Sequence, residues 1–501
     1  MDTAILVLFT LLLFFIFLYS LVQLQLLFNY RKSRKKHKTP ENFDFSDPSR
    51  VPFVTIQLPL YNEKPVVERL LKNIAEIDYP PERLEIQVLD DSTDDSLKLT
   101  AGLVAEIENR GIDIIHLCRS NREGFKAGAL KEGLKSAKGE FIAIFDSDFL
   151  PKQDWLRKTI QWFQDEKIGV VQTRWGHLNR NYSLLTKLQA FLLDFHFILE
   201  QTGRNSGKHF INFNGTAGIW RKTCILDAGN WTGDTLTEDL DLSYRAQLKG
   251  WKFKYLEEVE TPAELPITIS AARSQQFRWN KGAAENFQKN YRKLLFDNRF
   301  SVSTKIHSFF HLLNSSLFLL VLLLSVLSVP VLFITTGAEY EFFTGIMLFF
   351  SISTVIFFLS YWVTFAKING SSFRSFLEFS LLFFTFFSIA MGFSVHNSGA
   401  VLEGHFGRRS EFIRTPKFNL SEKERFLKKE PSKITFQLLL EFSLMLLFAF
   451  AIFSAFTLEN YRLLLFHLML FFGFSYVVLT SLNIAFWRLD RFSKPVRSGG
   501  K

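Results

Sequence analysis

The sequence predicts a mainly parallel α/β domain inserted in an α-helical membrane domain with several spans, and three observations carry that expectation. Six stretches of about 20 residues or more are apolar and almost free of charge, each long enough to cross a bilayer core of roughly 30 Å. Between the first and the second of them, residues 40 to 300 have the mixed charge of a globular domain. Inside that domain short β-branched runs alternate with helical patterns, and acids gather where the runs end.

The six apolar segments are Ile5 to Phe28, Phe309 to Ile334, Phe342 to Ala366, Phe376 to Val395, Ile434 to Phe456 and Leu463 to Trp487. They account for a composition that is 48% hydrophobic with 58 phenylalanines, which is not that of an ordinary globular chain. The first reads as a retained anchor, because no basic residue precedes it, its apolar run is long, and no small-residue cleavage site follows. "YRKSRKKHK" comes directly after it with six Lys/Arg between Arg31 and Lys38, which marks the cytosolic side. The inserted domain is therefore expected in the cytosol. The net charge of +10 needs no nucleic acid, since the basic excess sits beside membrane segments where anionic lipid attracts it. Cys118 and Cys224 are expected to be free thiols in a reducing compartment, with no zinc site.

The strand candidates are "FVTIQL" from Phe53, "LEIQVL" from Leu84, "IDIIHL" from Ile112, "FIAIF" from Phe141 and "GVVQT" from Gly169. Helical patterns fill the gaps at Lys64 to Ile77, Ser96 to Arg110 and Phe125 to Ala137. Ligands of such sheets bind at the carboxyl ends of the strands. There lie "LDDSTDD" (Leu89 to Asp95) and "FDSDF", whose Asp146 and Asp148 would face one point if the segment were extended. Two carboxylates held so close need a proton or cation between them, and Mg²⁺ on a substrate diphosphate meets that need. "NREGFKAGAL" adds Arg122, Lys126 and two glycines at a helix start, suited to a pyrophosphate. "TEDLDLSYR" has Thr237 as a helix cap with acids in the first turn, and "QQFRWNKG" sets a Trp beside an Arg, a face on which a sugar ring can stack.

Taken in order, these residues resemble the processive β-glycan synthases of glycosyltransferase family 2. The matching pieces are "LPLYNE" (Leu58 to Glu63), "LDDS" (Leu89 to Ser92), "FDSD", "FNGT" (Phe213 to Thr216), "TED" (Thr237 to Asp239) and the Q-x-x-R-W pattern at Gln275, Arg278 and Trp279. The resemblance runs from about Val51 to Gly282 and continues into the membrane region. "NREGFKAGALKEGL", "FNGTAGIW" and "RAQLKGWKF" are most similar to runs of the cellulose-synthase-like mannan and xyloglucan-backbone synthases. The resemblance implies a GT-A fold for the inserted domain. It implies that Tyr61 and Asp90 contact the base and ribose of a nucleotide sugar, with Glu63 and Asp91 alongside. Lys126 would bind phosphate, Asp146 and Asp148 would hold Mg²⁺ or Mn²⁺, and Asp239 would be the catalytic base. Gln275, Arg278 and Trp279 would form the acceptor site, with Asn214 and Gly215 shaping it. "EFIRTPKF" (Glu411 to Phe418) resembles the gating loop F-x-V-T-x-K of cellulose synthases at Phe412, Thr415 and Lys417, with Arg414 in place of the valine.

The expected organisation is an anchor at 1–30, a basic linker at 31–50, the glycosyltransferase domain with interfacial helices at 51–300, and a helix pair at 301–370. An interfacial or re-entrant helix with the gating loop follows at 371–433, then a second helix pair at 434–490 and a basic tail at 491–501. The re-entrant reading comes from charge. A full crossing by Phe376 to Val395 would put Arg408 to Lys433, with nine Lys/Arg, outside, against the positive-inside bias. The expected activity is inverting transfer of glucose or mannose, from UDP-glucose or GDP-mannose, to a growing β-linked polymer, with β-1,4 the expected linkage and export through the protein's own helices. Two other readings stand beside it. A non-processive membrane transferase acting on a lipid acceptor would share the nucleotide motifs, and a transporter would explain the spans but not the acids.

Overall fold

The computed structural model describes residues 2–33, 40–41, 43–336, 340–410, 413–419 and 434–482. The linker run 34–39, Phe412 and the tail 491–501 lie outside them. In chain order, α1 (Asp2–Ser33) precedes an alternation of β1 (Val54–Leu60), α2 (Val67–Ile74), β2 (Leu84–Asp90), α3 (Ser96–Glu108), β3 (Ile114–Cys118), α4 (Phe125–Ser136), β4 (Phe141–Ile144), α5 (Trp155–Ile160) and β5 (Ile168–His177). Next, α6 (Leu184–Asp194) runs through a turn of π-helix, Phe195–Glu200, into α7 (Gln201–Ser206). The domain closes with β6 (Gly218–Arg221), α8 (Lys222–Asp227), α9 (Glu238–Leu248) and β7 (Lys252–Ala263). Then α10 (Ile269–Phe296) and α11 (Val302–Leu313) lead to α12 (Leu317–Ile334), α13 (Glu341–Phe350), α14 (Ile352–Asn369), α15 (Phe373–Gly392), α16 (Ser394–His405), α17 (Phe436–Thr457) and α18 (Leu464–Ser481).

The seven strands form one sheet in the order β3-β2-β1-β4-β6-β5-β7. All neighbours are parallel except that β6 runs against β4 and β5. The mainly parallel expectation therefore holds, while β6 and β7 were not among the strands anticipated. Helices cover both faces, which is why β2 is buried at every residue and β1 at all but one. The polar residues inside these strands satisfy one another: Thr55 Oγ1 donates to Glu85 Oε2 (2.6 Å) and Gln57 Nε2 to Gln87 Oε1 (3.0 Å). The carboxyl ends of β1, β2 and β4 share one edge, and the acids lie there.

Among the described residues six helical stretches are long and apolar enough to cross a membrane: Asp2–Ser33, Val302–Ile334, Glu341–Asn369, Phe373–Gly392, Phe436–Thr457 and Leu464–Ser481. They pack on the sheet domain as well as on one another. Phe191 and Phe195 of α6 and the π-turn stack against Tyr361 of α14, at centroid distances of 4.9 and 3.9 Å, and Phe379 of α15 joins the cluster. The backbones of α15 and α18 approach at Gly473, where a Cβ would stand 1.8 Å from the carbonyl oxygen of Ser388, so only glycine fits the crossing.

Candidate active site

The strand edge opens into a cleft walled by the end of β1, the turn after β4, the N-terminus of α9, the middle of α10 and the segment 413–419. Of the residues singled out in the sequence, Tyr61, Glu63, Asp91, Lys126, Asp146, Asp148, Asn214, Gly215, Asp239, Gln275, Arg278, Trp279, Thr415 and Lys417 all line it. Phe412 lies outside the described residues. Asp90 departs from its expected place. It is buried, its Oδ2 lies 3.0 Å from Nε2 of His116, and its Oδ1 accepts from Ser92 N at 2.9 Å, so it braces the loop behind the cleft. Asp91, which lines the cleft, is clasped by Arg119 at 2.9 and 2.5 Å.

The paired aspartates also differ from the extended arrangement. β4 ends at Ile144, and Phe149 N donates to Asp146 O at 3.0 Å, so Asp146 and Asp148 sit on a turn instead of on alternate positions of a strand. Each is held by an ammonium: Lys126 pairs with Asp146, and Lys417 lies 2.8 Å from Asp148 Oδ2. Asp148 is 1% exposed, and its buried Oδ1 has no hydrogen-bond partner among the described residues.

Lys126 also donates to Gly215 O at 2.9 Å. Burial works against its charge, but Asp146, and beyond it Glu238 and Asp239, outweigh burial and hold the ammonium above its ordinary range. The floor of the cleft is the start of α9. Asp239 Oδ1 accepts from Leu240 N at 2.8 Å, and Gly215, at φ +79°, passes so close that a Cβ there would lie 3.1 Å from Asp239 Oδ2. Burial, then the adjacent Glu238 carboxylate, push the Asp239 carboxyl up to about 8; Glu238 is raised too, chiefly by burial. Opposite it, burial lowers the Arg278 guanidinium to about 10 against the pull of Asp146 and Glu238.

Segment 413–419 crosses the mouth. Arg278 donates to Ile413 O (2.5 Å) and Thr415 Oγ1 (2.9 Å), and Phe418 N donates to Glu264 Oε2 (3.3 Å). Arg414 pairs with Glu63 at 2.5 Å. Burial raises the Glu63 carboxyl more than Arg414 and Lys417 lower it.

Sequence reasoning missed the support of Asn214. Its Nδ2 lies 3.1 Å from His196 Nε2, its Oδ1 accepts from Gln201 Nε2 at 2.6 Å, and His196 Nδ1 lies 2.9 Å from Glu200 Oε2. Glu200 in turn holds Arg204 and accepts from Gln23 of α1 at 2.8 Å. The signal was "FHFILEQ", an i, i+4 His–Glu pair, which is indistinguishable in sequence from a surface pair until the π-turn carries it inward. Cys118 and Cys224 are free, as expected.

With this geometry in hand, similarity to known proteins is specific. Residues 52–282 match the family model described as glycosyltransferase like family 2. Glucomannan 4-beta-mannosyltransferase 1 of Oryza sativa subsp. japonica is 42% identical over 264 residues, 52% of this chain and 51% of that protein. Glucomannan 4-beta-mannosyltransferase 2 of Arabidopsis thaliana is 40% identical over 295 residues, 56% of this chain and 54% of that one. The match thus spans about half the length of these curated relatives. A mannosyltransferase from Pyrobaculum calidifontis, solved in complex with GDP-Man and Mn²⁺, superimposes with a TM-score of 0.52 at 19% identity over 82% of this chain and 100% of that one, so the two share a fold. Residues 52–282 are therefore similar to glycosyltransferase family 2 domains, with a GT-A fold, and about half of the chain is similar to glucomannan 4-beta-mannosyltransferases.

Proposed function

We propose that the protein is an inverting hexosyltransferase that transfers mannose from GDP-mannose to the non-reducing end of a β-1,4-linked polysaccharide at the cytosolic face of a membrane and exports the product through its own helices. The observation that carries this reading is the convergence of Asp239, the Asp146–Asp148 turn, Lys126 and the Gln275–Trp279 turn in one cleft. Glucose and mannose donors both suit such a cleft, and the names of the relatives favour mannose.

The acids fit a divalent cation, Mg²⁺ or Mn²⁺, that Asp146 and Asp148 would hold: one buried carboxylate oxygen of Asp148 has no partner among the described residues, and both acids already attract ammonium groups. When bound, such a cation would neutralise charge on the donor's diphosphate. The chain's own residues do the rest. Asp239 accepts the proton of the acceptor hydroxyl; that oxygen bonds to C1 of the donor sugar while the C1–O bond to the diphosphate breaks and its electron pair stays on the leaving group. A carboxyl raised toward neutrality is a stronger base than an ordinary aspartate and still ionises near neutral pH. Lys126 and Arg278 receive the leaving charge. With a single displacement and no carboxylate nucleophile, an α-linked donor gives a β-linked product.

The fold also supports five crossings. Lys367, six residues before α15, pairs with Glu257 of β7, and His396 Nε2, four residues after it, lies 2.9 Å from Arg273 O of α10. Residues flanking α15 before and after thus meet the sheet domain and its adjoining helix, which suits an interfacial or re-entrant helix and keeps segment 413–419 beside the cleft. Membranes carrying the protein should incorporate label from GDP-mannose in preference to UDP-glucose, into material that an endo-β-1,4-mannanase digests. Incorporation from UDP-glucose into glucanase-sensitive material would replace the mannose reading.

A further inference from the structure

Among the described residues the cations of the cleft are committed, with one exception. Lys126, Lys417, Arg414 and Arg278 each contact an acid or a backbone oxygen. Arg122 lines the same cleft, yet among the described residues it donates no hydrogen bond and meets no acid, and its Nε is buried without a partner. Its guanidinium carbon instead lies 3.2 Å from the centre of the Tyr61 ring.

This placement is built. Arg119, clasped to Asp91, donates to Glu123 O and Phe125 O at 2.9 Å each, stapling the turn that carries Arg122 to the end of β2. Asp146 and Asp148 follow β4, Tyr61 follows β1 and Asp91 follows β2, and these strands are neighbours in that order. Adjacent strands lie about 4.8 Å apart, so the Tyr61–Arg122 stack stands one to two strand spacings, roughly 5–10 Å, from the acids that would bind the diphosphate. A nucleotide laid along the strand ends, with its sugar at Asp239, has its base at this stack.

We infer that Arg122, held on the face of Tyr61, reads the donor's base and selects guanine over uracil. The inference rests on the mannosyl-donor reading and deepens it. Guanine offers two acceptors, O6 and N7, on one edge, and the arginine fork matches them in a bidentate pair; uracil has no such neighbouring pair, and adenine presents a donor at the O6 position. Lysine keeps the charge but has neither the fork nor the flat face.

The test is binding of GDP, IDP, ADP and UDP to the full-length protein in detergent, with Mn²⁺ present, by calorimetry. The wild type should bind GDP and IDP alike, since hypoxanthine keeps O6 and N7, and both about 10- to 100-fold tighter than ADP or UDP. Arg122→Lys should bring GDP and IDP down to the level of ADP while leaving ADP and UDP nearly unchanged, and Arg122→Gln should do the same with a small further loss for all four. If the wild type prefers GDP and Arg122→Lys keeps that preference, or weakens all four nucleotides equally as a diphosphate ligand would, the assignment to Arg122 is overturned and the mannosyl-donor reading stands. A wild type that prefers UDP overturns both.

Discussion

Lys417 sets its ammonium 2.8 Å from Oδ2 of Asp148, a carboxylate only 1% exposed at the strand edge, and so joins the segment before α17 to the turn after β4. The ammonium compensates a buried charge that a divalent cation would otherwise compensate, so the two compete for one carboxylate. In Lys417→Ala the nucleotide-free protein should bind Mn²⁺ about tenfold more tightly than the wild type, read by electron paramagnetic resonance. An unchanged affinity would mean that the pair does not reach the cation site.

Asp239→Asn separates base from binding. The amide cannot take the acceptor proton, so transfer should fall by about 10²- to 10⁴-fold while GDP affinity stays within a few-fold. Stability should move the other way. The folded-state pKa of Asp239 is raised to about 8, so its favourable contribution is full below the unfolded value near 4 and is lost as pH rises through about 8. The wild type should therefore lose thermal stability between pH 6 and pH 9 relative to Asp239→Asn, whose melting temperature should exceed the wild type's most at the alkaline end; parallel pH curves would contradict the shift.

The same shift predicts the acid limb of activity. Because the base works ionised, kcat should fall as pH drops through a value well above the ordinary carboxylate range, and that limb should be missing from the residual activity of Asp239→Asn. A limb near pH 4 would assign the base elsewhere.

Asp148→Asn should lower turnover by about 10²- to 10³-fold, because it alters the carboxylate whose buried oxygen has no partner among the described residues, and EDTA should abolish wild-type activity with recovery on Mn²⁺ or Mg²⁺. Full activity in EDTA would remove the metal from the reaction.

What the sequence revealed followed local physics. The runs at Val54, Leu84, Ile114, Phe141 and Ile168 are dense in β-branched residues and became strands. β6 is four residues long and borrows its place between β4 and β5 from tertiary pairing, while β7 carries Glu257, Glu258 and Glu260 in a pattern that reads as a loop. The side on which Asp146 and Asp148 fall depended on where β4 stops, and one hydrogen bond, Phe149 N to Asp146 O, decides that. Motif order named many of the residues that line the cleft. It gave no sign that Asp90 would turn toward His116, nor that Arg414 would answer Glu63, because such pairings join residues far apart in the chain.

The five-crossing arrangement can be read with an aqueous thiol reagent on intact cells, in a Cys118→Ser background. A cysteine at Glu459, exposed between α17 and α18, should react, and one at Phe406, exposed just after α16, should not. Reversed labelling would make α15 a full crossing and carry segment 413–419 away from the cleft. Ser421 lies outside the described residues.

The most direct measurement is the length distribution of the product made by purified protein in lipid vesicles from labelled GDP-mannose, with donor scarce relative to enzyme and acceptor primer. A transferase that holds its chain between the Gln275–Trp279 turn and the membrane helices should yield a few long, mannanase-sensitive polymers and leave most primers unextended. Single sugars spread over all acceptors, or label confined to lipid, would contradict a polymerising synthase.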